Sequence, residues 1–189
     1  MPLCSAVQIS RRHILTAAHC VLDSNLDDDQ RNAVCDSLRC RNIKPQSKLN
    51  LFYKNFKHIE AYATSNLTGR LHYRDLGDSI KLEIEGHPYV HKEYDPCTSD
   101  NDLAIIELKS DVPREVGSPI CMRENEKLAG KLSSAGYGRD PKSPDANDEF
   151  HWLQKVDFDS KDVTESATTI TAAVHGKSLC PKDIVILST

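Results

Sequence analysis

The feature that most constrains this chain is its cysteine content. There are seven, Cys4, Cys20, Cys35, Cys40, Cys97, Cys121 and Cys180. An odd count leaves at least one without a partner inside the chain. No pair has CxxC spacing, so disulfides formed in an oxidising compartment are the expectation, and with them an extracellular location. A zinc site from Cys35, Cys40, Cys97 and a histidine is the alternative, disfavoured by its ligand spacing. Sequence alone leaves the pairing of Cys35, Cys40, Cys97 and Cys121 open. Met1 to Ser5 has neither a charged start nor an apolar core, so no signal peptide is expected in these residues. A piece of a longer secreted protein would reconcile the two observations.

Length and charge narrow the class. The 189 residues fit one ordinary domain or two small subdomains. The balance of 24 basic and 28 acidic residues gives a net charge of −4, which disfavours a nucleic-acid surface. No run of 18 apolar residues occurs, so a membrane partner is not expected either. Apolar residues at 39% can fill a core, and charged residues at 28% predict long loops. Short runs read as strands: Val7–Ile9, His13–Thr16, the alternating Ile80–Glu85, the more apolar Leu103–Leu108, Ser133–Gly138 and Trp152–Val156. Short strands separated by turn signals predict an all-β sandwich or barrel. Most of Asp23 to Lys48, with its acidic run Asp27-Asp28-Asp29, reads as a solvated loop, as does Asp140 to Asp148. Asn66-Leu67-Thr68 is the glycosylation sequon.

The segment that carries chemistry runs from Cys4 through Thr16-Ala17-Ala18-His19-Cys20. It resembles the chymotrypsin/trypsin-like serine proteases, in which two strands lead into Thr-Ala-Ala-His-Cys. Small Ala17 and Ala18 would let the turn pack tightly and set His19 at the mouth of a cleft. Asn101-Asp102-Leu103-Ala104 resembles the family's Asn-Asp-Ile-Ala segment, His87-Pro88-Tyr89-Val90 its His-Pro-x-Tyr approach, and Gly136-Tyr137-Gly138 the Gly-Trp-Gly opening the second barrel. The resemblance implies that His19 is the general base and that buried Asp102 fixes its tautomer. It also implies a Cys4–Cys20 disulfide, no cofactor, no metal, and a peptide or protein substrate acted on by a monomer. His19 and Asp102 stand 83 residues apart, against about 45 in the enzyme template. The excess is placed at 22–48, which a fold tolerates because loop closure costs grow slowly with length. Enlarged members occur among nematodes, and the chain resembles them.

The end of the chain departs from the family pattern. Gly176-Lys177-Ser178-Leu179-Cys180-Pro181-Lys182-Asp183 approaches the nucleophile segment as the family does, but Ile184 fills the serine slot. Isoleucine has no atom that attacks a carbonyl. Lys182 occupies the oxyanion-glycine slot and Ser178 the pocket-base slot. The expectation is a chymotrypsin-like double Greek-key β-barrel. Its first barrel spans 1–118, with its first strand missing and 22–48 inserted; the second, 119–189, stops before its last strands. The function implied is a trypsin-like endopeptidase domain without catalytic competence; the alternative is a non-catalytic secreted homologue that binds a partner.

Overall fold

The computed structural model describes residues 4–24, 26–38, 52–63, 70–72, 79–120, 131–138, 150–165 and 170–172. In chain order the strands are β1 (Val7–Gln8), β2 (His13–Thr16), β3 (Leu22–Ser24), β4 (Tyr53–Phe56), β5 (Ala61–Ala63), β6 (Arg70–His72) and β7 (Ile80–Leu82). They continue as β8 (Tyr89–Val90), β9 (Ala104–Glu107), β10 (Lys131–Gly138), β11 (Phe150–Asp159), β12 (Val163–Glu165) and β13 (Ile170–Ala172). The helices that lie wholly within the described residues are a single turn, α1 (Ala18–Val21), a longer α2 (Asp28–Leu38), and a 3₁₀ turn at Ser160–Asp162. The architecture is thus mostly strand, in sheets that stay open among the described residues.

The chain divides into two compact units. Residues 6–63 and 81–120 form one, around an antiparallel sheet in the order β1-β2-β9-β8. Residues alternate in and out along its central strands. Ile14 and Thr16 of β2 point inward, opposite Ile106 and Ala104 of β9. A slip of one residue would turn this set outward, so burial fixes the register. Ile14, Ala104 and Ile106 pack with Ala18, Val21, Leu22, Tyr94, Leu108 and Val112 in one core cluster. Two-stranded pairs β3-β4 and β5-β7 accompany the sheet.

The other unit comprises residues 1–5, 64–80 and 121–189. Its centre is a long hairpin in which β10 pairs along its whole length with β11, from Lys131↔Asp159 to Gly138↔Trp152. The facing pair Leu132 and Phe158 is buried. β6 extends this sheet on the far side of β11, and β12 pairs with β13.

One expectation is corrected. The segment expected as a solvated loop holds α2 over Asp28–Leu38. Asp27 caps it: its carboxylate accepts from the Gln30 amide at 2.7 Å, and Gln30 Oε1 accepts from the Asp27 amide at 3.2 Å. That reciprocal pairing is a capping box, and Asp28 and Asp29 in the first turn complement the helix dipole. The acidic run is therefore a helix start. The loop expected at Asp140–Asp148 and the sequon at Asn66 lie outside the described residues.

Candidate functional site

The register of the sheet of the first unit builds the site. Thr16 at the end of β2 faces Ala104 at the start of β9. The chain leaving β2 reaches His19 three residues later, and the chain entering β9 passes Asp102 two residues earlier. Antiparallel pairing therefore brings both residues to the same end of the sheet, although 83 positions separate them.

His19 sits on α1. Ala18 beside it is fully buried, so a larger side chain there would meet the core. Asp102 holds the turn twice. Its Oδ1 accepts from the His19 backbone amide at 2.9 Å, and its Oδ2 lies 2.6 Å from His19 Nδ1. The Asp102 side chain is 21% exposed and that of His19 is 41% exposed, so the carboxylate is the more buried partner. Burial opposes ionisation of Asp102. The hydrogen bonds from the His19 ring and amide and from the Ala18 amide outweigh it, holding the carboxyl below its ordinary value. A carboxylate fixed at Nδ1 leaves Nε2 as the nitrogen that can exchange a proton with a third group. In this structure Nε2 lies 3.5 Å from Cys20 Sγ.

Residues not singled out by sequence reasoning complete the surroundings. Lys57 Nζ donates to the His19 carbonyl at 3.0 Å, and the Lys57 amide to the Val21 carbonyl at 2.9 Å, so the chain after β4 braces α1. Buried Tyr94 pairs its hydroxyl with that of Tyr53 at 3.3 Å. Burial, then that hydrogen bond, push the Tyr94 hydroxyl far above the ordinary tyrosine value, so it stays neutral. No sequence pattern marks Lys57 or Tyr53, because their roles come from packing between segments distant in sequence.

Cys4 and Cys20 are both disulfide-bonded. Cys35 on α2 is bonded to Cys97, with Cα atoms 5.5 Å apart and a sequence separation of 62. That bond replaces the zinc alternative, since two of its thiolates are joined to each other. Cys40, Cys121, Cys180, Ser178, Lys182 and Ile184 lie outside the described residues. No helix among the described residues is long and apolar enough to cross a membrane.

Comparison with known proteins gives a consistent family. The family model described as Trypsin matches residues 53–183. Mannan-binding lectin serine protease 1 of Homo sapiens is 29% identical over 141 residues, 73% of this chain and 17% of that protein. Serine protease filzig of Drosophila melanogaster is 27% identical over 140 residues, 72% of this chain and 6% of its own length. The chain thus spans less than a fifth of either curated relative. Among solved structures, the scabies mite inactivated protease paralogue S-I1 superposes with a TM-score of 0.54 at 20% identity, covering 98% of this chain and 72% of the mite chain. That likeness concerns the fold.

Proposed function

This chain belongs to the trypsin family, and from that membership we propose that it is a trypsin-like serine endopeptidase domain which keeps the histidine–carboxylate pair and lacks the nucleophile. The observation that carries the reading is the double hold of Asp102 on His19, at Nδ1 and at the backbone amide. That geometry fixes an imidazole tautomer, which is the task of the carboxylate in acyl transfer. In this reading His19 is the general base and Asp102 its orienting group.

The serine slot holds Ile184, so no acyl-enzyme forms and the pair works on no bound carbonyl. Lys182 in the glycine slot weakens the oxyanion site, because a lysine reaches glycine's backbone conformations only with strain. Ser178 at the pocket base removes the carboxylate that attracts lysine and arginine side chains. The Ile184 substitution also favours a second reading. A non-catalytic secreted homologue would bind a peptide or protein partner without cutting it. Either way we propose a Cys4–Cys20 bridge beside His19, an extracellular monomer, a peptide or protein ligand, and no metal, cofactor, nucleic acid or membrane partner.

A peptide-hydrolysis assay on the purified chain and on His19→Ala tests the proposal. The expected result is the same background rate for both. Hydrolysis that falls at least tenfold in His19→Ala would overturn the inactive reading, since such dependence needs a working nucleophile.

A further inference from the structure

We propose that the Cys35–Cys97 disulfide is a positioning element for Asp102, clamping the turn that delivers this carboxylate to His19; the inference rests on the pairing of His19 with Asp102 described above. The bond joins two places that flank the site. Cys35 lies 16 residues after His19 and Cys97 five before Asp102.

The chain from His91 to Leu103 is closed at its base by the His91 amide donating to the Leu103 carbonyl at 2.9 Å. Its tip is a tight turn organised on Asp95. The Asp95 carboxylate accepts from the Cys97 amide at 2.9 Å, its carbonyl from the Ser99 amide at 2.8 Å, and its amide donates to the Asp100 carbonyl at 2.9 Å. Two residues of this turn are left-handed without being glycine: Ser99 at φ 61° and Asn101 at φ 54°. Asparagine tolerates that region and serine much less. Asn101 immediately precedes Asp102, and the Leu103 amide donates back to the Asn101 carbonyl at 2.7 Å, so the aspartate is the centre of a three-residue turn. Its carboxylate direction therefore follows the backbone of Ser99 to Asn101.

Strained residues persist only where the surroundings over-determine them. The local hydrogen bonds supply part of that restraint, and the covalent link at Cys97 supplies a restraint from outside the turn. The helix at the other end of the link is well capped, yet among its residues only Leu38 is buried. A helix of 11 residues with one buried side chain has little packing to hold it in place. The disulfide is a covalent tie between α2 and the turn, joining the segment after His19 to the segment before Asp102.

The test is proton NMR of the full chain, reading the far-downfield resonance of the His19 Nδ1 proton bonded to Asp102. The wild-type chain is expected to show it; its absence there would reject the His19–Asp102 pairing itself, a separate failure. In Cys35→Ser/Cys97→Ser the ratio of paired to unpaired His19–Asp102 is expected to fall roughly tenfold, the factor equivalent to about 1.4 kcal/mol of unrelieved left-handed strain, and the resonance loses intensity accordingly. Adding Ser99→Gly to that variant is expected to restore most of it, because glycine adopts the left-handed region freely. Full intensity in the doubly substituted chain would overturn the proposal, as would a loss that Ser99→Gly leaves unchanged. Should the variant not fold, amide exchange of the wild-type chain decides. Protection of Cys97, Ser99 and Leu103 amides comparable to the β2–β9 ladder supports the clamp, and exchange at loop rates overturns it.

Discussion

Replacing Asp102 separates its two jobs. In Asp102→Asn, the side-chain oxygen can keep the bond from the His19 amide, now at 2.9 Å. The amide nitrogen then faces His19 Nδ1, 2.6 Å away in the native pair, and the ring must accept there and carry its proton on Nε2. One charge-assisted hydrogen bond becomes a neutral one, which costs about 1–2 kcal/mol. In Asp102→Ala both acceptors go, and the loss rises to about 2–4 kcal/mol for two unsatisfied donors. The pH dependence adds a sign. The Asp102 carboxyl lies below its ordinary value near 3.8 in the folded chain. Its contribution is therefore complete above that ordinary value and is lost as pH falls through the lower folded value. Urea titrations of the three proteins between pH 3 and 7 measure this. The gap between wild type and Asp102→Asn should be full at pH 6–7 and narrow toward pH 3, while nitrogen NMR shows the ring proton moved to Nε2 in the variant. Equal stabilities at pH 7 together with an unchanged tautomer would refute the reasoning.

Two further outcomes follow from the packing of the same unit. Leu108 is 1% exposed in the core cluster, so Leu108→Ala should cost about 2–5 kcal/mol in chemical denaturation, the range for cavities that relax incompletely. Asp27→Ala removes the cap of α2 and should cost about 1 kcal/mol; amide exchange should show the loss confined to the first turns of that helix, with the β2–β9 ladder unchanged.

What the sequence made readable was whatever rests on short-range pattern. The alternation in His13–Thr16 and the apolar run after Asp102 mark the strands that pair in the structure, and the family motifs around His19 and Asp102 mark the residues that meet. The helix at Asp28–Leu38 escaped because its apolar periodicity is poor. Its signal lay instead in the Asp27-x-x-Gln30 cap, easily read as part of an acidic loop. The Cys35–Cys97 bond could not be chosen among the possible pairings, since pairing depends on which loops meet in space. Lys57 was invisible for a similar reason: its role at the His19 carbonyl exists only once β4 lies beside α1.

We propose that this trypsin-family chain holds the His19–Asp102 pair with Ile184 in the slot of the serine it would activate. Intact-mass analysis after incubation with a serine-directed phosphonate tests it most directly. The expected result is an unmodified mass, because Ile184 offers no oxygen to form the phosphonyl ester. One stoichiometric adduct that forms on the native chain and disappears in Ser178→Ala would contradict it, and would identify another nucleophile in the slot assigned to the pocket base.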